Sequence, residues 1–171
     1  MNRIAVIGPP GSGKSTLARR LGERMNIPVT HLDCLFWNAG WVETPRAKFA
    51  EKVRRAVSAD RWILDGGYGS TQHIVFPAAD TIVFLDFPRA ICLWRVIARY
   101  FAHRGRSRPD IAPGCAEKID FEFIEYIWTY REDVRPPIIL RLAGRRVDQR
   151  LVVLNGPAEV ARFEREMGIE T

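Results

Sequence analysis

Residues 8–15 read Gly8-Pro9-Pro10-Gly11-Ser12-Gly13-Lys14-Ser15, a complete G-x-x-x-x-G-K-[ST] pattern. Before it, Arg3-Ile4-Ala5-Val6-Ile7 is a short apolar strand; after it, residues 16–24 read as an amphipathic helix with Leu17, Ala18 and Leu21 on one face. Strand, glycine loop and helix form the context in which this pattern cradles phosphate. Glycines let successive backbone N–H groups turn toward one anion, and the helix N-terminus adds partial positive charge. Lys14 is placed to bridge the β- and γ-phosphates of a nucleotide, and the Ser15 hydroxyl to hold Mg²⁺. Pro9 and Pro10 carry no N–H, so the anion falls mainly to residues 11–16: Gly11, Ser12, Gly13, Lys14, Ser15 and Thr16, with Gly8 opening the turn.

Outward from this loop, strand and helix patterns alternate, which predicts a parallel sheet covered on both faces. Pro28-Val29-Thr30-His31-Leu32 is the second strand. Thr44-Pro45 reads as an N-cap followed by proline at the first helical position, opening a helix that carries Phe49, Val53 and Ala56. Arg61-Trp62-Ile63-Leu64-Asp65 is the third strand, stopped by Gly66-Gly67. Thr81-Ile82-Val83-Phe84-Leu85 is apolar enough for the centre of a sheet. A helix follows over 89–101. A second spans 118–134, apolar nearly all round and therefore expected to be covered on more than one side, with Pro136-Pro137 ending it. Leu151-Val152-Val153-Leu154 is the last strand, and Pro157 opens a final helix. Between the two middle helices, residues 104–117 form an arginine-, glycine- and proline-containing loop of the kind that serves as a lid. The expectation is one three-layer α/β domain over residues 1–171.

The chain of 171 residues has a net charge of +6. Its basic residues are dispersed, with dense sets at 103–108 and 141–150, so handling of several phosphates accounts for the charge as well as nucleic acid does. No run approaches a membrane span, and no charged-then-apolar leader with a cleavage site is visible. Cys34, Cys92 and Cys115 show neither pairing nor metal spacing, as for reduced thiols in a cytosol. His31, His73 and His103 also lack metal spacing.

Four features together resemble the nucleoside-monophosphate-kinase-like group of P-loop kinases, which includes adenylate and shikimate kinases. They are the 8–15 loop, the strand ending Leu64-Asp65-Gly66, the strand and turn Val83-Phe84-Leu85-Asp86-Phe87-Pro88, and the arginine loop between helices. The resemblance implies a P-loop NTPase fold with strand order 2-3-1-4-5 and a helical lid region. Further segments are similar to the bacterial topology-modulation (FlaR-like, adenylate-kinase-related) proteins. These are His31-Leu32-Asp33-Cys34-Leu35-Phe36-Trp37, Gly40-Trp41-Val42, Trp62 through Tyr68, Arg108-Pro109-Asp110 and Asp120-Phe121-Glu122-Phe123. Two departures separate the chain from a true adenylate kinase. Asp65-Gly66-Gly67-Tyr68-Gly69 replaces Asp-Gly-Phe-Pro-Arg, and Trp37 and Trp41 stand where an AMP site would be.

The site candidates follow. Asp65 ends a strand beside the loop, where ligands gather in open α/β sheets; it either holds a Mg²⁺-bound water, as its counterpart does in this group, or caps the turn into Gly66-Gly67. Asp33 either touches the acceptor hydroxyl, as a matching carboxylate does in shikimate-kinase-like proteins, or caps a loop. Asp86 reads as an ordinary turn residue. Arg95 and Arg99 share a helix face, Arg106 and Arg108 sit in the candidate lid, and Arg131 and Arg135 repeat the four-residue spacing. In this group such arginines neutralise the migrating phosphoryl group; Arg108, Arg131 and Arg95 are the leading candidates. Cys115 is the only cysteine of 104–117, which excludes a zinc-bearing lid. Trp37, Trp41 and Tyr68 line an acceptor pocket or simply pack. Asn155-Gly156-Pro157 either matches the place where backbone contacts hold the adenine ring in this group or is an ordinary strand–helix turn.

The resulting expectation is a cytoplasmic ATP- and Mg²⁺-dependent kinase with a small-molecule phosphate acceptor, possibly a nucleotide or nucleoside, acting as monomer or homodimer. The alternative is a nucleotide-binding regulatory protein that contacts DNA. It is not favoured, because no helix-turn-helix, zinc finger or other nucleic-acid module is visible.

Overall fold

The computed structural model describes residues 1–103, 110–116 and 118–169. In chain order the elements are β1 (Arg3–Ile7), α1 (Lys14–Met25), β2 (Val29–His31), α2 (Leu32–Phe36), β3 (Trp37–Asn38), β4 (Val42–Glu43), α3 (Arg46–Ala56), β5 (Trp62–Asp65), α4 (Gln72–Ala78), β6 (Thr81–Leu85), α5 (Arg89–His103), α6 (Phe121–Thr129), a π-helical turn (Tyr130–Val134), α7 (Arg135–Ala143), β7 (Arg150–Leu154) and α8 (Pro157–Glu166).

Five strands form one parallel sheet in the order β2-β5-β1-β6-β7. Counted without the small β3–β4 hairpin, this is the order 2-3-1-4-5 implied by the resemblance. Residues alternate between the faces of β1. Ile4 and Val6 join Leu17, Leu21, Cys92, Val96 and Phe163 in one cluster, while Ala5 and Ile7 join Phe49, Val53, Phe76, Ile138 and Leu142 in the other. Helices α1, α5 and α8 therefore cover one face, and α3, α4 and α7 the other. Burial on both sides is why β5 and β6 are apolar runs rather than alternating ones. The register pairs Val6 with both Asp65 and Val83, and His31 with Asp65. The carboxyl ends of the strands thus line up on one edge, and that edge carries the site.

Three local expectations are corrected. Pro45, not Thr44, is the residue before α3, and no side chain caps that helix. The Thr44 hydroxyl instead donates to Leu35 O at 3.1 Å and accepts from Asn38 Nδ2 at 3.1 Å, holding the hairpin to α2. The 118–134 helix begins only at Phe121, and although Ile127 and Tyr130 join the two core clusters, Phe121 is 77% exposed and Trp128 53%. Pro136 and Pro137 do not stop it, because they occupy the first turn of α7. There a proline's missing N–H costs little, and the π-turn, in which Arg135 N–H reaches back to Tyr130 O, carries the chain into the new helix.

The candidate lid is only partly described; residues 104–109, with the arginines at 104, 106 and 108, lie outside the described residues, as does 117. Residues 110–116 are packed rather than loose. Ile111, Ala112 and Cys115 are buried against Trp37 and Trp41. Gly40 N–H donates to Gly114 O at 3.1 Å, Trp41 Nε1 to Ala116 O at 3.0 Å, and Cys115 Sγ to Asn38 O at 3.2 Å. Trp37 and Trp41, expected within one loop, stand on this hairpin. Among the described residues no helix is long and apolar enough to cross a membrane.

Candidate functional site

The loop between β1 and α1 is built on close approach. Gly11 has φ +81°, and a Cβ there would lie 2.4 Å from Cys92 O; a Cβ on Gly8 would lie 2.6 Å from Leu85 O. Any larger residue at these two positions collides with backbone that cannot yield. Lys14 begins α1, so its neighbours present the free N–H groups of a helix N-terminus. Residues 11–17 line a cavity of about 490 Å³. Arg95 and Arg99 of α5 and Pro157, Val160 and Ala161 of α8 also line it. Arg95 donates from Nη1 to Ser12 O at 3.0 Å, and its guanidinium lies 5.3 Å from the centre of the Phe87 ring. Arg20 sits in the same wall, its Nη1 2.9 Å from both oxygens of the buried Glu164.

Asp65 is 4% exposed at the end of β5. Its Oδ2 lies 2.7 Å from His31 Nδ1, while its Oδ1 is buried without a hydrogen-bond partner. That hydrogen bond pushes the His31 pKa up against the opposing effect of burial, and the charges of Asp65, Asp110 and Asp33 add to it. A buried carboxylate oxygen with no donor is costly unless something supplies one. A water held by Mg²⁺ would do so, and Asp65 and the Ser15 hydroxyl are the residues that would hold such a hydrated ion. No group of three His, Cys, Asp or Glu side chains among the described residues could chelate an ion alone.

Asp33 stands in the first turn of α2, not in a loop, and its Oδ1 accepts from the Tyr68 hydroxyl at 2.5 Å. Burial first, then the Asp33 charge, pushes the Tyr68 pKa far up, so the phenol remains a donor. The Tyr68 ring is wedged 4.6 Å from Phe36 and 5.1 Å from Phe49. Asp33, Asp65 and the phosphate loop thus meet at one sheet edge.

The remaining candidates separate. Arg131 is exposed on the π-turn and does not line the cavity; Arg108 lies outside the described residues. Arg135 is committed to Asp86, with Nε 2.9 Å from both carboxylate oxygens and Nη2 2.6 Å from Oδ2. Sequence reasoning missed the placement of His31, Asp110 and the Arg20–Glu164 pair. His31 and Asp65 end neighbouring strands, so the strand order alone would have brought those two together.

A family model described as an AAA domain matches residues 4–67, from β1 through β5. The chain is 28% identical over 148 residues to an adenylate kinase of Moorella thermoacetica, covering 85% of this chain and 59% of that one. It therefore spans less than two thirds of that relative's length. A shikimate kinase from Acinetobacter baumannii, solved with shikimate, superposes with a TM-score of 0.62 at 13% identity, over 98% of this chain and 90% of that one. A shikimate kinase from Bacteroides thetaiotaomicron gives 0.57 at 19% identity, over 98% of each chain. The fold is that of the P-loop kinases. At these identities the structural likeness speaks to the fold, and the chemistry has to be argued from the site.

Proposed function

We propose that this chain is an ATP- and Mg²⁺-dependent phosphotransferase that moves the γ-phosphoryl group to a hydroxyl of a small molecule, a nucleotide or nucleoside being among the candidates. One observation carries the reading: a complete phosphate loop opens on the same sheet edge as two carboxylates, one with a buried oxygen that lacks a donor. The backbone N–H groups of residues 11–16 bind the β- and γ-phosphates, and Lys14 spans them. Ser15 and Asp65 would hold Mg²⁺, which when bound neutralises charge on the phosphates. The adenine would lie toward Pro157 and Val160. Arg95, with Arg108 and Arg131 as further candidates, supplies positive charge to the transferring group. Asp33 orients the acceptor hydroxyl and takes its proton as the oxygen attacks phosphorus and ADP leaves.

The solved shikimate kinases and the adenylate kinase relative support the kinase reading. A cytoplasmic setting fits the reduced cysteines. The test is Lys14→Ala, followed by calorimetric ATP titration, thermal melting and ADP release. Lys14 is not among the buried core residues, so the variant should melt like the parent yet lose ATP affinity and turnover. Unchanged ATP binding in the folded variant refutes the reading. Salt-dependent DNA binding with no ATP turnover would point to the regulatory alternative.

A further inference from the structure

Resting on the kinase reading, we propose that His31 is a positioning residue: it holds one oxygen of Asp65 so that the other is presented to the water of the bound Mg²⁺. His31 Nδ1 lies 2.7 Å from Asp65 Oδ2. A carboxylate can only accept, so the imidazole supplies the proton of this contact.

The backbone of Asp65 is fixed without His31's side chain. Parallel pairing sets it against Val6 on one side and His31 on the other. The next residue, Gly66, donates to Val6 O at 3.1 Å and has φ +134°, where a Cβ would lie 2.8 Å from Leu32 Cβ. None of this fixes the carboxyl group, because the outer torsion of an aspartate is broad and roughly two-fold. Among the described residues His31 alone hydrogen-bonds it, and Oδ1 is buried with no partner. The His31 contact therefore decides which oxygen stays available and where it points.

His31 makes this contact from a position that invites another. It precedes α2 at the N-cap, where a polar side chain ordinarily bonds a helix N–H, yet it makes no capping bond. Strand β2 is the edge of the sheet, and β1, which leads into the phosphate loop, lies on the far side of β5. Asp65 thus stands between His31 and the loop that would carry the nucleotide. A bond that only satisfied a buried carboxylate leaves half the task undone: Oδ1 bears a desolvation cost that a metal-bound water would relieve. Carboxylates that hold metals are themselves hydrogen-bonded, and losing such a partner typically lowers metal affinity about 10- to 100-fold.

The test compares the parent chain with His31→Phe, which keeps a ring suited to a strand, and His31→Leu, which keeps apolar bulk. Thermal melting shows which variants are folded, and either one suffices. Calorimetry measures the affinity for a non-hydrolysable ATP analogue in excess Mg²⁺ and in EDTA, and the ratio of the two is what the metal adds. The parent should bind more tightly with Mg²⁺. In the variants the ratio should fall by about tenfold, or to one where the parental gain is smaller, while the affinity in EDTA stays within about twofold. In an Asp65→Ala background, removing His31 should change the ratio by less than about twofold, because its effect runs through Asp65. A parental ratio in a folded variant, the same loss in the Asp65→Ala background, or a parent with no Mg²⁺ gain overturns this inference and leaves the kinase reading standing. Equal weakening in EDTA and in Mg²⁺ gives His31 a structural role only and overturns it as well. No binding of the analogue by the parent in either buffer overturns the kinase reading and this inference with it.

Discussion

Replacing Arg135 by alanine should destabilise the protein by about 3 kcal/mol. Asp86 directly follows strand β6 and is 5% exposed, so its carboxylate depends on protein donors rather than water. Arg135 supplies two of them, the Nε N–H shared between both oxygens at 2.9 Å and an Nη2 N–H 2.6 Å from Oδ2. Removing one partner of a buried pair costs about 3–5 kcal/mol, because the other charge is left uncompensated. The Arg135 side chain is 32% exposed, so water reaches part of the vacated space and the lower end applies. For a chain of this size each kcal/mol moves Tm by about 2–4 °C, so Arg135→Ala should melt roughly 6–12 °C below the parent. The control is the same substitution in an Asp86→Asn background. With the buried charge already gone, the second step should cost under about 1 kcal/mol, leaving a coupling of about 2 kcal/mol. Urea unfolding of the four proteins, with m-values checked for constancy, measures this directly. A loss below about 1 kcal/mol for Arg135→Ala, or the same loss in both backgrounds, would refute the assignment of this pair as the clamp between α7 and the sheet.

Two further outcomes follow from named contacts. Asp33→Asn keeps an acceptor for the Tyr68 hydroxyl, so fold and ATP affinity should persist while kcat on any identified acceptor falls about 10²- to 10⁴-fold; transfer at the parental rate would make Asp33 a structural residue only. Burial raises the Asp80 pKa, but the N–H groups of Asn2 and Arg3, the Thr81 hydroxyl and the N-terminal charge outweigh it and leave the carboxyl depressed. The stability it contributes is present above the unfolded carboxylate pKa of about 4 and is lost as pH falls through the lower folded value. Asp80→Asn should therefore cost about 1–2 kcal/mol at pH 7 in urea unfolding, with the gap closing toward pH 3. A gap independent of pH would exclude this origin.

What was legible in the chain was what one segment settles alone. The 8–15 loop carries its own anion-binding backbone, and β1, β5 and β6 are apolar because both faces are covered. The prolines at 136 and 137 misled because proline stops a helix interior but suits a first turn, and a π-turn needs a tertiary anchor that no local pattern announces. Asp86 and Arg135 supply that anchor from 49 residues apart. The carboxylate cluster at the strand ends, proposed as the acceptor side, was hidden for the same reason. Its carboxylates come from residues 33, 65 and 110, each surrounded in sequence by apolar or basic neighbours, in a chain whose overall charge is +6. Net charge describes the whole surface and has no bearing on one edge of a sheet. Only when β2 is laid against β5, and residues 110–116 against the β3–β4 hairpin, do these three charges converge on His31. The His31–Asp65 contact is therefore set by the pairing of β2 with β5, which the loop that identifies the fold does not announce.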